Sequence, residues 1–443
     1  MGVELLTIRK AIVFGMLCFV LLAGVIYDTR FILSMEWVRS LLAASVVLCL
    51  GATLILTRMP RGVFHTTLIA GWPLHLYSIC FIAVSWCFHA GAEKGAIVAY
   101  TVVAYGAWLI LPMCLLLDRS LFENFVKVVS IGSALIAIPS YIGALGIDSI
   151  AGLPLSNKYS YSEFSGIIAS GGILEHAEGH ALQMAIGLMC SLFLSLRTGS
   201  ILFVLCFVMT SAGLIVSQGR GVLFGVLIAC AFWAIPESLR RSRMVLFGGV
   251  AFFLLAPFLI WPQLAQIPGF ANYLRMERGL SGRDVAWAYA GKLIEEKPWV
   301  GHGFGTSGDL SEQGRKQLRI SGYSGAGTTF HNTFITKAVE LGLLVTLAYL
   351  SIYVMALWNI SDTSGDAPTQ QLIRSIILLT ITASIFRDYN IGGVRSTSML
   401  AAIFLGLANL WPFASRFATS GQEDTNFLVD GIPDSKLEEA AAR

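Results

Sequence analysis

Two apolar runs joined by a short polar turn occupy residues 201–235, which read ILFVLCFVMTSAGLIVSQGRGVLFGVLIACAFWAI. Arg220, in the turn, is the only charged residue of the stretch. A helix needs about 20 apolar residues to cross a bilayer core about 30 Å thick. Lipid offers no water to unpaired backbone groups, so such runs adopt helices. The stretch therefore predicts two membrane-embedded helices with Arg220 at their junction.

The composition of the whole chain agrees with this interpretation. Of its 443 residues, 56% are hydrophobic and 13% are charged, and the mean hydropathy is +0.72. A soluble domain carries about 25% charged residues. So few charges exclude an ordinary cytosolic enzyme, a disordered chain and a nucleic-acid binder. The eight Cys all lie in apolar runs, which is typical of core-filling residues.

About twelve apolar runs of spanning length occur along the chain. They lie near residues 11–27, 39–57, 67–89, 95–117, 125–147, 177–196, 199–217, 221–235, 244–262, 332–358, 371–389 and 394–413. We therefore predict an all-α integral membrane protein of about twelve transmembrane helices with a long, partly helical loop. In this division residues 1–262 hold helices 1–9, 263–330 the loop, 331–413 helices 10–12, and 414–443 a solvated, disordered tail.

The basic residues of the short connections predict the orientation, because such residues stay in the cytoplasm. With alternating spans they fall on one side: Arg9, Lys10, Arg58, Arg61, Arg119, Lys127, Arg197, Arg240, Arg241, Arg243, Arg374 and Arg416. Both termini are then cytoplasmic, and the loop at 263–330 lies on the opposite side. Within that loop, Ser281 and Asp284 have capping-box spacing and Pro298 follows. These signals predict a helix from about Arg283 to Glu296 outside the membrane.

Four sets of polar residues come to this exterior side. They are the turn Ser217–Gly221, which contains Gln218 and Arg220; Arg283; the pair His331–Asn332; and the segment Arg387–Asn390, which contains Asp388. Ionisable groups at membrane depth are costly, so their gathering indicates a site. The alternative for each arginine is an interfacial anchor that extends to water. Guanidinium groups suit an anionic ligand such as pyrophosphate. No two Asp stand two residues apart, so the DxD signature of metal-dependent sugar transferases is absent, and no metal is predicted.

Three further patterns leave alternatives open. His331 has the chemistry of a general base, but a capping or packing histidine fits equally well. His176 and His180 are spaced for zinc on a helical face, although the Glu of the metalloprotease pattern is one place late, which favours a polar turn. Gly303–Gly308 matches GxGxxG without a βαβ unit, which favours a tight loop whose backbone approaches a ligand. Lys337 and Glu340 are interpreted as structural.

The order of the motifs resembles the O-antigen ligase and polymerase family of bacterial cell envelopes. The resemblance covers roughly residues 210–345 and rests on four motifs: Ser217-x-x-Arg220-Gly221, Gly301-x-Gly303-Phe304-Gly305, His331-Asn332-x-Phe334-Ile335 and Glu340-x-Gly342. The long exterior loop before the third-last helix also fits this family. The first half of the chain resembles the family in hydropathy alone.

The resemblance implies a membrane-embedded C-class glycosyltransferase of the bacterial inner membrane, surrounded by membrane lipids. It would transfer a glycan, with inversion, from an undecaprenyl-pyrophosphate carrier at the periplasmic face, without metal or other cofactor. The acceptor is the lipid A core in ligases and another carrier-linked glycan in polymerases. Carried over to this chain, Arg220 and Arg283 hold the pyrophosphate and His331 is the catalytic base. Arg387 and Asp388 resemble the Arg/Asp pair near the end of the family's eleventh helix.

Ligase is favoured within the family because the loop carries eight basic residues, at 275, 278, 283, 292, 297, 315, 316 and 319, against six acids. Such a loop suits two phosphate-bearing lipids. Substrate binding is accordingly predicted for Gln218, Arg275, Arg278, Asn332, Arg387 and Asp388. The alternatives are an O-antigen polymerase and a protein O-oligosaccharyltransferase of the same family. A secondary transporter is disfavoured because no inverted repeat is visible.

Overall fold

A computed structural model describes residues 2–29, 35–57, 61–89, 94–150, 152–155, 157–158, 168–174, 176–235, 248–249, 283–320, 330–361, 366–389 and 393–413. The described chain is mostly helical, which confirms the all-α membrane class. The helices are α1 (Gly2–Tyr27), α2 (Glu36–Thr57), α3 (Arg61–Ala70), α4 (Trp72–Phe88), α5 (Lys94–Tyr105), α6 (Leu111–Leu116), α7 (Arg119–Ala144), α8 (Ala177–Thr198), α9 (Ile201–Ser217), α10 (Arg220–Ala234), α11 (Arg283–Glu296), α12 (Ser307–Ile320), α13 (Thr333–Ser361), α14 (Ala367–Phe386) and α15 (Ser396–Leu410). A π-helical turn at Gly106–Ile110 joins α5 to α6.

In the described part of the chain, seven spans are long and apolar enough to cross a membrane: Lys10–Tyr27, Lys94–Leu116, Arg119–Ala144, Ala177–Thr198, Thr333–Ile360, Ala367–Phe386 and Ser396–Phe413. The pair α3 and α4 adds an eighth if its 64° bend is taken within one span. Three shorter apolar helices coincide with predicted spans, at Trp37–Thr53, Ile201–Ser217 and Arg220–Ala234. The predicted span at 244–262 lies almost wholly outside the described residues, so the count of twelve stays a prediction.

Ion pairs mark one end of this bundle. Lys10 of α1 pairs with Asp118, the residue before α7, at 2.9 Å. Arg197, in the last turn of α8, lies 2.8 Å from Asp366 before α14 and 3.3 Å from Glu123 of α7. Several of the basic residues that the sequence assigned to one side therefore meet at one end. We call this end the paired end. Helix α8 begins at the opposite end of the bundle, and helix α14 ends there.

Two long connections of the chain contain regular structure. Helix α11 spans Arg283–Glu296, as predicted. The polar helix α12 follows it and was not predicted. Ala290 and Leu293 of α11 pack with Phe330 and Val339 in a small second core. The connection before α8 carries two short antiparallel pairs: β1 (Ser149–Ile150) with β2 (Leu153–Pro154), and β3 (Asn157–Lys158) with β4 (Ala169–Ser170).

Helix α13 is broken at Gly342, whose φ of 81° and ψ of 173° are not helical. The segment before α12 fills the break. Its residues His302 and Gly303 donate backbone hydrogen bonds of 2.8 Å to the carbonyls of Val339 and Glu340, and Leu343 donates one of 2.7 Å to Pro298. Buried backbone groups freed by a kink need such partners. The glycine-rich segment that the sequence interpreted as approaching a ligand thus approaches α13.

Candidate functional site

A cleft opens at the end of the bundle opposite the paired end. Four segments form it: β4, the first turn of α8, the turn between α9 and α10, and the end of α14. Its lining includes the polar residues Glu178, Ser217, Gln218, Arg220, Arg387 and Tyr389. Two of the predicted polar sets, the Ser217–Gly221 turn and the Arg387 turn, therefore meet in one place. We call it the arginine cleft.

Arg220 is held at the first position of α10 by its neighbours. Gln218 adopts a left-handed φ of 52° that ends α9, and Gly219 precedes the new helix. A Cβ at Gly221 would lie 2.5 Å from Cβ of Phe386, so only glycine allows α10 and α14 to pack this closely. Arg220 therefore enters the cleft at a helix N-terminus, where the partial positive charge favours an anion.

Arg387 ends α14 and forms an ion pair with Glu178 of α8. Its Nη1 donates to Glu178 Oε2, and both side chains are partly buried. The hydroxyl of Tyr389 donates a 3.0 Å hydrogen bond to the backbone carbonyl of Glu178. These bonds fix the α14 turn against the first turn of α8. Charge-assisted bonds of this kind keep a guanidinium directed at a defined place.

The segment of His331 is tied to the same turn through Thr333. The Thr333 hydroxyl donates to the carbonyl of Arg387 at 2.9 Å and accepts the Tyr389 N–H at 2.8 Å. Asn332 caps α13, because its Oδ1 accepts the N–H groups of residues 334 and 335 at 2.9 and 3.0 Å. His331 has a positive φ of 50°, which is uncommon outside glycine. The candidate base thus lies beside the cleft, although it does not line its described wall.

The loop helix α11 reaches this neighbourhood from the other side. Trp287 Nε1 donates a 2.8 Å hydrogen bond to the carbonyl of Phe330, which immediately precedes His331. Arg283, the first residue of α11, lies one helical turn before Trp287. Arg275 and Arg278 lie outside the described residues. Their predicted part in substrate binding stays a prediction.

Asp388 lies between the two anchored residues of the α14 turn. Its Oδ1 is shielded from solvent. The pKa of the Asp388 carboxyl is raised to about 6, chiefly by burial. Lys337, Arg387 and Arg395 oppose this rise because their positive charges favour the carboxylate, whereas the negative charge of Glu340 adds to it. Arg395 also lies 3.4 Å from the buried carboxylate of Asp28. The carboxyl of Asp388 therefore binds a proton at a higher pH than an exposed aspartate does.

The structure does not favour a zinc pair at His176 and His180. His176 is the N-cap of α8, with an extended φ of −131° and ψ of 133°, so the two residues do not share a helical face. His180 is fully buried. Within the described residues, no group of three or more His, Cys, Asp and Glu is placed to hold a metal ion.

Sequence reasoning missed two residues of this neighbourhood, Glu178 and Thr333. Glu178 is the only acidic residue in the first turn of α8, and an acid at the start of an apolar span is a signal in itself. Its partner Arg387 lies 209 residues further along the chain. Thr333 carries no comparable signal, because threonine is common near helix starts.

Comparison with known families agrees with the motifs. Residues 201–350 match the family model for O-antigen ligase. The matched segment contains Gln218, Arg220, Arg283, His331 and Asn332, whereas the partners Glu178 and Arg387 lie outside it. Among curated proteins, no sequence matches this chain. Through residues 201–350 the chain is therefore similar to the O-antigen ligase family, whose members are membrane glycosyltransferases.

Proposed function

We propose that this protein is an O-antigen ligase. It transfers a glycan from undecaprenyl pyrophosphate to the lipid A core at the periplasmic face of the bacterial inner membrane. The transfer inverts the anomeric carbon and uses no metal ion or other cofactor. The observation that carries the proposal is the arginine cleft, where Arg220 and Arg387 come together within a membrane glycosyltransferase of this family.

The cleft suits the pyrophosphate of a lipid-linked donor. Arg220 and Arg387 reach it from different helices, and the N-terminus of α10 adds its dipole. A guanidinium has five N–H donors, so the bond from Arg387 to Glu178 leaves donors for phosphate oxygens. The fixed geometry of the forks matches phosphate better than an ammonium would. Gln218 supplies an uncharged amide at the same wall.

The chemistry needs one base and one stabilised leaving group. His331 takes the proton of the acceptor hydroxyl while that oxygen attacks the anomeric carbon of the donor glycan. The bond from this carbon to the pyrophosphate oxygen breaks, and undecaprenyl pyrophosphate leaves with the electron pair. Arg220 and Arg283 bind the pyrophosphate and stabilise the charge that develops on it. Arg387 and Asp388 contact the substrate beside them, with Asn332, Arg275 and Arg278.

The orientation follows from the charges of the opposite end. Basic residues stay in the cytoplasm, and Lys10, Arg119 and Arg197 belong to the paired end. The arginine cleft then faces the periplasm, where a glycan linked to undecaprenyl pyrophosphate is presented.

Two other acceptors keep the same chemistry. A polymerase would use a second carrier-linked glycan, and a protein O-oligosaccharyltransferase would use a hydroxyl of a protein. A lipopolysaccharide gel of a knockout strain separates these possibilities. Loss of the long ladder with an intact core band identifies a ligase, whereas a single-repeat band identifies a polymerase. An unchanged ladder would contradict both. Complementation with Arg220→Ala should leave the ladder absent.

A further inference from the structure

Lys337 is a buried cation without a role in the mechanism above. Its side chain is fully buried in α13, and its Nζ lies beside aromatic rings, among them that of Tyr100. Three rings surround the Nζ, with their centroids 5.1 Å (Tyr100), 5.5 Å (Phe304) and 6.0 Å (Tyr349) away. Ring faces attract a cation, but they offset only part of the cost of removing its hydration. A charge buried here therefore needs an opposite charge nearby.

Two acids, Glu340 and Asp388, interact electrostatically with Lys337. Glu340 follows Lys337 on α13, and its Oε1 accepts the N–H of Ser307 at 3.4 Å. Ser307 begins α12, so Glu340 lies at a helix N-terminus, where the dipole stabilises a carboxylate. The start of α12 thus gives the Glu340 carboxylate a partner besides Lys337.

The second acid, Asp388, is held beside Lys337 by the hydrogen bonds of its neighbours. Thr333 binds the backbone of Arg387 and Tyr389, and it lies four residues before Lys337 on the same helix face. Tyr349, whose ring is one of the three around Lys337, donates a 3.2 Å hydrogen bond to the carbonyl of Tyr389. The turn that carries Asp388 is therefore fixed from both sides next to the lysine.

We propose that the Lys337 ammonium is the buried counter-ion of Asp388 and keeps this carboxylate ionised. Lys337 is then a positioning residue, because it acts on the arginine cleft through the Arg387–Tyr389 turn without touching substrate. The consequence for transfer rests on the proposed ligase function, whereas the ion pair itself does not.

Removing the charge of Lys337 and removing the charge of Glu340 should shift the pKa of Asp388 in opposite directions. Lys337, Arg387 and Arg395 lower the pKa of Asp388, while burial and Glu340 raise it, with a net value of about 6. Loss of the Lys337 charge should therefore raise the pKa of Asp388, and the carboxyl should protonate at a higher pH. Loss of the Glu340 charge should lower it. An opposite charge at close range shifts such a pKa by about one to three pH units.

Infrared spectroscopy of the full chain in nanodiscs tests the pair directly. The band of the protonated carboxyl that disappears in Asp388→Asn reports Asp388, and in the wild type it should titrate near pH 6. Lys337→Met should move the midpoint up by about one to three pH units. Glu340→Gln, a neutralisation on the same helix, should move it down. Arg374→Met, which removes a largely buried cation near the paired end, should not move it.

An unmoved midpoint in folded Lys337→Met would overturn the proposal, as would a shift in the same direction for Lys337→Met and Glu340→Gln. If Lys337→Met does not fold, the double variant Lys337→Met/Asp388→Asn should restore folding, since it leaves no charge of the pair unmatched. A double variant that also fails to fold would overturn it equally. If the wild-type protein did not transfer glycan, the ligase proposal would be contradicted. The infrared titration of Asp388 would still test the ion pair.

Discussion

The two ends of the helix bundle use arginine differently. At the paired end, Arg197 lies between two carboxylates, Glu123 and Asp366, which come from different segments. At the other end, Arg387 pairs with Glu178 and lines a cleft. The first arrangement places one guanidinium between two carboxylates, whereas in the second two arginines, Arg220 and Arg387, share a cleft with the carboxylate of Glu178. Sequence shows an arginine near the end of a span in both cases, so the residue type alone does not predict its role.

The neighbours of each arginine explain the difference. Arg220 stands between Gly219 and Gly221 at the start of a helix, and Ala181 and Phe386 approach these glycines closely. These close approaches fix Arg220 at the N-terminus of α10, in the wall of a cleft that Glu178 and Arg387 also line. A pyrophosphate bound at this end would pair with the arginines, as carboxylates do at the other end.

The assignment of the two ends to the two sides of the membrane is tested by an all-or-none experiment. In a background without the eight native Cys, Gly308→Cys on α12 should react with an impermeant thiol reagent in intact cells. Thr198→Cys at the paired end should not. The reverse labelling would place the arginine cleft in the cytoplasm and remove the argument for a periplasmic donor.

Among side-chain changes, the largest effect is expected for the candidate base. His331→Ala should lower single-turnover transfer by roughly 10²- to 10⁴-fold, the usual worth of a general base. Donor binding should survive, because His331 does not line the described wall of the cleft. Single-turnover kinetics and donor titration of the folded variant check this. Near-normal turnover would refute the base.

Arg220→Ala should lower transfer by roughly 10²- to 10³-fold, since it removes a donor to the developing charge. Arg220→Lys should recover only part of this loss, because the ammonium keeps the charge but loses the fork. The comparison variant is Arg197→Lys at the paired end, which should transfer glycan at the wild-type rate. Full activity of Arg220→Lys would show that charge alone matters at the cleft.

Excess EDTA tests whether glycan transfer needs a divalent metal ion. We propose that arginines of the cleft, and no metal ion, neutralise the leaving group. The purified protein with carrier-linked glycan and lipid A core should keep its activity in the chelator. Activity that disappears and returns with magnesium, manganese or zinc would contradict this, and would point to acids such as Asp28 as ligands.

Thr333 links the base segment to the cleft, and its loss should have a smaller effect. Thr333→Val keeps the shape but removes the bonds to Arg387 and Tyr389, so turnover should fall roughly tenfold, as for a buried pair left unsatisfied. Thr333→Ser keeps the hydroxyl and should rescue. Thr382→Val, which removes only a bond within α14, serves as the control. Equal losses in Thr333→Val and Thr382→Val would mean that Thr333 is merely structural.

The smallest effect on transfer is expected at the paired end. Arg197→Gln leaves Glu123 and Asp366 without their shared partner, so it should lower the free energy of unfolding by about 1–3 kcal/mol, between the values for exposed and buried pairs. Activity per folded molecule should not change. Thermal unfolding and transfer assays on the same preparation measure both. A loss of transfer without a loss of stability would contradict the claim that Arg197 serves the stability of the fold and not the transfer of glycan.

The sequence predicted what depends on local patterns. Helix α11 was found with its bounds because a capping signal and Pro298 enclose a short helical repeat. Helix α12 was missed because its polar residues do not register in a search for apolar runs. The break of α13 at Gly342 was missed as well, since a lone glycine in an apolar run does not show that another segment fills the gap.

The candidate site was predicted in its basic residues but not in their partners. Arg220 and Arg387 were found because charges at the ends of spans are costly and therefore informative. The pairing of Arg387 with Glu178 joins residues 209 apart, and one sequence contains no signal for it. The bonds of Thr333 to the α14 turn depend equally on how α13 and α14 pack.

Donor affinity tests the central claim, that the arginine cleft binds the pyrophosphate of the carrier. Undecaprenyl-pyrophosphate-linked glycan is titrated into nanodiscs that hold the wild type, Arg220→Ala, Arg387→Ala or Arg197→Ala. The two cleft variants should bind the donor about tenfold or more weakly, the worth of a hydrogen bond to a charged group, and Arg197→Ala should bind it as the wild type does. Wild-type affinity in both cleft variants, or equal weakening in all three, would contradict the account.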